Sequence, residues 1–224
     1  MAGGNEHLRF ILKTAREQEM EKAARFGFVE GLVIPRNEAQ RTGRHYDRLV
    51  HTSLNYPFSV IGVELGELSP AQLATEAEAY HQMDPARLTA LFPMTLPSLA
   101  AMNSLKSSGH HLGIQHAVTL VQLLAAVRVG ARVLKISTRP FHHYDLDLRR
   151  LMTSLTTHLQ NEGEDCEVWL EDAISAKEAN ELATLGAGAI VFTWDTLQDL
   201  LYHPATDQEI ERRLTSWSGE ETLE

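Results

Sequence analysis

The sequence of 224 residues contains one cysteine, Cys166. No internal disulfide can form and no cysteine-rich metal cluster can be built, which fits a reducing compartment. Long apolar runs are also missing: nothing approaches the roughly 18 consecutive apolar residues of a membrane span, so no membrane partner is expected. The opening Met1-Ala2-Gly3-Gly4-Asn5-Glu6 has neither the basic start nor the apolar stretch of a secretory signal, and a cytoplasmic location is expected. Basic residues are scarce, 20 Lys and Arg against 30 Asp and Glu, for a formal charge of −10. Nucleic acid is therefore not an expected partner, because phosphate backbones are held by clustered Lys and Arg. No glycine-rich dinucleotide turn is present. Imidazole binds zinc readily, but the adjacent pairs His110-His111 and His142-His143 would point in opposite directions from a strand. Neither a metal nor an organic cofactor is expected.

What the chain does have is a regular alternation of short apolar runs with helical patterns, the signature of repeated βα units and a parallel sheet. Eight runs occur: Leu8–Lys13, Gly31–Ile34, Phe58–Leu65, Leu88–Pro93, His111–His116, Arg132–Ser137, Glu167–Glu171 and Ala189–Thr193. Between them lie helical segments such as Pro70–Gln82, entered through Ser69-Pro70, where serine caps and proline suits the first helical position. Ala117–Val129 and Ala176–Leu185 read the same way. Gly130 and Gly186 stand where helices should end and strands begin. No linker or low-complexity tract interrupts the series, so residues 1–224 are expected to form one (β/α)₈ barrel. Thr206–Trp217 follows the eighth unit as an extra terminal helix, with Ile210, Leu214 and Trp217 at helical spacing.

The residues also resemble a family. Leu8-Arg9-Phe10-Ile11-Leu12-Lys13-Thr14-Ala15, Gly27–Leu32, Phe92-Pro93-Met94-Thr95, Gln122-Leu123-Leu124-Ala125-Ala126 and Gly130-Ala131 follow the order and spacing of the small transaldolases and fructose-6-phosphate aldolases. Asp195–Leu201, His203-Pro204-Ala205, Ile210-Glu211 and Trp217 resemble that family's last barrel helix and terminal helix. The resemblance runs from about Leu8 to Trp217. It implies a barrel with its site at the carboxyl ends of the strands, a sugar or sugar phosphate as substrate, and rings of subunits joined through the terminal helix. A homo-oligomer, pentameric or decameric, is the expectation.

The departures from the family fall on its chemistry. The fourth-strand position of the Schiff-base lysine holds Leu91, and the first-strand aspartate is replaced by Lys13. Val33-Ile34-Pro35 stands where the family has Thr-Asn-Pro, Gly113 and Gln115 take fifth-strand positions near catalytic water, and two phosphate-binding positions become Ala173 and Ser175. Glu64 matches the third-strand glutamate or glutamine, and Arg139 lies near the phosphate-binding arginine after strand six. The gain is Lys135. Strand alternation puts Val133, Lys135 and Ser137 on one face, which the resemblance turns toward the barrel mouth. Lys135-Ile136-Ser137-Thr138 also resembles the sixth-strand lysine segment of deoxyribose-phosphate aldolases. An amine desolvated in an apolar barrel, with Lys13 or Arg139 nearby, would lose its proton more readily, whereas Glu64 would oppose this. The candidate site is therefore Lys135 as nucleophile, Glu64 as acid or base, Gln115 orienting water and Lys13 beside them. Arg139, Ser137 and Ser175 would hold substrate.

Plainer roles compete with each of these. A strand lysine commonly reaches solvent or a carboxylate, and Glu64 would then be its ion-pair partner. Of Glu171 and Asp172, which close the seventh run, only one should face inward, leaving the other at a solvated strand end. Trp194 would cover the pocket or pack at its rim. Two function classes stay open: a Schiff-base aldolase or transaldolase with its lysine moved to strand six, and a catalytically inactive homologue that binds a metabolite or serves an assembly.

Overall fold

The computed structural model describes residues 7–173 and 176–218. Its strands are β1 (Arg9–Lys13), β2 (Gly31–Ile34), β3 (Val60–Glu64), β4 (Leu88–Pro93), β5 (Leu112–Gln115), β6 (Val133–Ser137), β7 (Glu167–Glu171) and β8 (Ala189–Phe192). Every strand is parallel to the next, and β8 pairs back onto β1 to close the barrel. The expected eight runs are these eight strands. Helices surround them: α1 (Glu17–Phe26), α2 (Arg36–Arg41), α3 (Tyr46–Ser53), α4 (Pro70–Met83), α5 (Leu96–Leu105) and α6 (Leu120–Arg128) in the first part. α7 (Arg139–His143), α8 (Leu148–Glu162), α9 (Ala176–Ala183), α10 (Trp194–Leu201) and α11 (Pro204–Ser218) complete them.

Local chemistry sets the helix ends. The Ser69 hydroxyl accepts from the Gln72 N–H at 3.3 Å with Pro70 at the first turn, and Thr119 and Gln122 form a reciprocal capping box before α6. Gly130 and Gly186 take φ of 102° and 77°, the left-handed conformation their placement after helices required.

Strand alternation divides the core in two. Leu12, Ile61, Phe92, Ile114, Leu134, Ile136 and Leu170 face outward into the helices. Ile11, Val33, Leu91, Val133, Trp169, Ala189 and Val191 fill the barrel interior. Leu91 is fully buried there. A Cβ on Gly62 would stand 2.8 Å from its Cδ1, and one on Gly113 would stand 2.7 Å from its Cδ2. The two glycines therefore leave the space that the leucine fills. Below this layer Glu167 accepts from Arg9 Nε and from Trp169 Nε1, each at 2.9 Å, so the amino-terminal end of the barrel is tied by a satisfied polar group.

The terminal helix is α11. Ile210 is 50% exposed and Leu214 54% exposed, so this chain's own barrel does not cover that stripe. The Trp217 side chain lies outside what the structure describes. No helix among the described residues is long and apolar enough to cross a membrane.

Candidate active site

Five strands bring charged and amide side chains to one mouth. Lys135 projects inward from the middle of β6, as alternation required, and its side chain is wholly enclosed. Its Nζ donates to Glu171 Oε1 at 2.7 Å and lies 3.5 Å from Glu64 Oε1. Lys13, at the end of β1, donates from Nζ to the other oxygen of Glu171 at 3.0 Å and lies 3.9 Å from Asp172 Oδ1. Glu171 thus bridges two amines with one oxygen each. Burial works against its ionisation, yet Lys135 and Lys13 hold the carboxyl down at about 2. Lys13 feels the same balance from the other side: burial pulls it down, while Glu171, Asp172 and Glu64 raise it above its ordinary value.

Glu64 ends β3 and is oriented by groups from α2 and α3, the two helices that precede that strand. Its Oε2 accepts from the Arg36 backbone N–H at 3.1 Å, and its own N–H donates to Tyr46 Oη at 2.7 Å. The Tyr46 hydroxyl donates to the Ile34 carbonyl at 2.9 Å. Burial and the neighbouring Glu64 push that phenol well above its usual range, so it remains a donor. The Arg36 guanidinium lies 4.4 Å from the Tyr46 ring centroid, donates from Nε to the Glu64 carbonyl at 3.1 Å, and is ion-paired with Glu76.

A cavity of about 330 Å³ opens above these groups. Lys13, Arg36, Asn37, Gln40, Glu64, Leu65, Gly66, Pro93, Gln115 and His116 line it. Lys135 is not part of this wall; it sits behind Glu64. Gln115 is buried, its Nε2 lies 3.5 Å from the Leu91 carbonyl, and its Oε1 has no partner among the described residues. His116 takes φ of 66°, which breaks alternation and lets it face the cavity beside Gln115. Burial and then Lys135 lower its pKa, favouring neutral imidazole.

The expectation that only one of Glu171 and Asp172 faces the mouth is corrected. Asp172 has φ of 68°, so its side chain does not follow the strand's alternation. It turns back to accept from Ser137 Oγ at 2.7 Å and pairs with Arg139 at 3.2 Å. Arg139 is largely exposed and is held by Asp172. Ser175 lies outside the described residues. Trp194 does not line the cavity; it stacks on Phe26 at 5.9 Å. The histidine pairs are engaged elsewhere: His110 Nε2 shares a 2.7 Å hydrogen bond with Glu78, and His142 Nε2 a 2.6 Å one with Glu178. Among the described residues no group of three or more His, Cys, Asp or Glu side chains could hold a metal.

Sequence reasoning passed over Glu171, Arg36, Tyr46 and Asp172 as site residues. Glu171 and Arg36 carried a signal, since a charged residue closing a barrel strand or opening the following loop belongs to the catalytic face. Tyr46 and the turn at Asp172 carried none.

No family model matches the chain. It is similar to the probable transaldolase of Kosmotoga olearia, 24% identical over 94% of this chain and 96% of that protein. The probable transaldolase of Aquifex aeolicus is 23% identical over 94% of this chain and 96% of its own length. Among solved structures, a native KDPGal structure aligns with a TM-score of 0.57 and 16% identity over 85% of this chain and 84% of that one. A cube-shaped, highly porous protein cage designed by fusing symmetric oligomeric domains aligns at 0.56 and 16% over 94% and 77%. At such identities the structures establish the barrel fold. The sequence resemblance to transaldolases holds over nearly the whole chain.

Proposed function

We propose that the protein is a Schiff-base aldolase or transaldolase acting on the carbonyl carbon of a sugar or sugar phosphate, with Lys135 as the nucleophile. The observation that carries this reading is the position of Lys135 Nζ, fixed by Glu171 on one side and 3.5 Å from Glu64, a carboxylate that lines the cavity, on the other. A carbonyl entering beside Glu64 would meet the amine by displacing the longer of its two contacts. The amine loses a proton and adds to the carbonyl; the carbinolamine then expels water to give an iminium. A carboxylate takes the proton from the substrate hydroxyl as the adjacent carbon–carbon bond breaks, and the bond's electron pair moves into the iminium to form an enamine. Protonation of the enamine, or its attack on a second aldehyde, regenerates an iminium, and hydrolysis of that iminium releases the product and returns the lysine.

Roles follow from the environments. Glu171, held at about 2, stays ionised and positions both amines. Glu64, at the cavity wall, moves the protons. Gln115, whose Oε1 has no partner among the described residues, orients water or a substrate hydroxyl. Ser137 and Arg139, at and just after the carboxyl end of β6, are engaged by Asp172.

Borohydride trapping with a panel of free and phosphorylated sugars, followed by peptide mapping, tests this. An adduct on Lys135, lost in Lys135→Arg and Lys135→Met with secondary structure retained, is the expected result. The catalytically inactive, ligand-binding or assembly role is favoured by one observation, the complete enclosure of Lys135 behind Glu64. No adduct from any carbonyl would select it, and an adduct on Lys13, which lines the cavity, would keep the reaction and replace the nucleophile. The exposed Ile210–Leu214 stripe of α11 further supports a homo-oligomer, pentameric or decameric. Sedimentation of a stable 25.0 kDa monomer at micromolar concentration would exclude it.

A further inference from the structure

We infer that Asp172 is an anion built into the site, filling the place a substrate phosphate would take, and that the substrate is accordingly an uncharged polyhydroxylated aldehyde or ketone. This rests on the carbonyl chemistry proposed above and narrows its substrate class.

The donors around Asp172 are those that would suit a phosphate. Ser137 Oγ donates to Oδ2 at 2.7 Å, Arg139 pairs with Oδ1 at 3.2 Å, and Lys13 Nζ stands 3.9 Å from Oδ1. A hydroxyl, a guanidinium and an ammonium converging on one point form an anion site, and here a carboxylate of the chain occupies it. The carboxylate is 8% exposed. Its backbone is held at φ of 68°, a conformation that aspartate adopts at some cost, with the Asp172 carbonyl pinned by Thr138 Oγ1 at 2.9 Å.

Charge in the rest of the site is equally closed. Lys13 is paired with Glu171, Lys135 with Glu171 and Glu64, Arg36 with Glu76, and Arg139 with Asp172, so four cations face four carboxylates. The two cations that line the cavity, Lys13 and Arg36, are both already paired. A phosphate would have to displace a buried carboxylate from its partner and leave that charge uncompensated. The remaining polar lining is the amides of Asn37, Gln40 and Gln115, the last with a buried Oε1 unpartnered among the described residues, and the His116 imidazole, which burial and Lys135 hold toward its neutral form. Amides both donate and accept, as hydroxyl groups do, and carry no charge to desolvate.

The test pairs dihydroxyacetone with dihydroxyacetone phosphate, and fructose with fructose 6-phosphate, in borohydride trapping read by intact mass. Wild type should be labelled by the neutral member of each pair with an advantage of about tenfold or more. Asp172→Gly vacates the anion place and suits the positive φ, and Asp172→Asn neutralises it at almost unchanged volume. Both variants should shift the preference toward the phosphorylated member by about tenfold. Both should also gain a rise in Tm with millimolar inorganic phosphate that wild type lacks. Equal or better labelling of wild type by the phosphate esters, or an unchanged preference in both folded variants, overturns the inference while leaving the Schiff base in place. No label from any probe removes the Schiff-base reading instead. The phosphate melt then decides alone: a gain in Asp172→Gly upholds the built-in anion, and no gain overturns it.

Discussion

Replacing Glu171 by glutamine removes one negative charge from between two lysines while keeping the side chain's shape. In the folded protein that carboxyl titrates at about 2 against an ordinary value of 4.5. Its charged form is thus favoured on folding by about 3 kcal/mol at neutral pH. Mutational experience with buried ion pairs, where losing one partner costs about 3–5 kcal/mol, gives the same scale. For a chain of this length such a loss lowers Tm by about 6–12 °C. The sign with pH follows from the depressed value: the stabilisation is complete above about 4.5 and disappears as pH falls toward about 2. Urea titrations of wild type and Glu171→Gln across this range should show a gap of about 3 kcal/mol at pH 7, shrinking to less than about half by pH 3. A gap of the same size at pH 3 as at pH 7 would mean that shape rather than charge is responsible. No gap at pH 7 would mean that the two lysines do not depend on Glu171.

Leu91→Ala should cost about 2–5 kcal/mol in chemical denaturation, because the cupping glycines Gly62 and Gly113 cannot move in to fill the void. Burial pushes the Cys166 thiol up to about 11, so alkylation of the folded protein at pH 8 should be roughly a hundredfold slower than that of an exposed cysteine, and urea should abolish the difference. Adduct formation should survive prolonged chelation, and a stoichiometric tightly held metal in the purified protein would contradict the proposed chemistry.

The barrel was legible because its signals are local and repeated. Each apolar run has a helix start and a glycine or polar turn around it, and these set strand number and direction before any tertiary contact is considered. Alternation placed Lys135 on the inner face for the same reason. What alternation could not supply was depth. Lys135 and Lys13 both point inward, yet Lys135 is enclosed behind Glu64 while Lys13 reaches the cavity, a difference set by barrel tilt and by side chains on other strands. Alternation also fails wherever φ turns positive, and this happens at His116 and Asp172, both at carboxyl ends of strands beside the site. The Arg36–Tyr46–Glu64 contacts join residues up to 28 positions apart, and no pattern within one element encodes them.

The positive charge at the end of β1 becomes intelligible through β7. Between these two strands lies β8, whose inward residues Ala189 and Val191 are small, and Lys13 extends across them to Glu171 and Asp172. The positive charge of Lys13 is therefore compensated two strands away. If this compensation holds Glu171 down, Lys13→Met must let that carboxyl rise, leaving Lys135 to hold it alone. Stabilisation by Glu171 would then fade at a higher pH than in wild type, because the folded value moves back toward the unfolded one. The acid limb of a pH-dependent stability curve should be displaced upward in Lys13→Met. Glu171→Gln should leave no further displacement when combined with it, since the same titrating group has been removed. An acid limb unchanged by Lys13→Met would show that Lys13 is simply solvated at the rim. A full additional displacement in the double variant would place its effect on Asp172 instead.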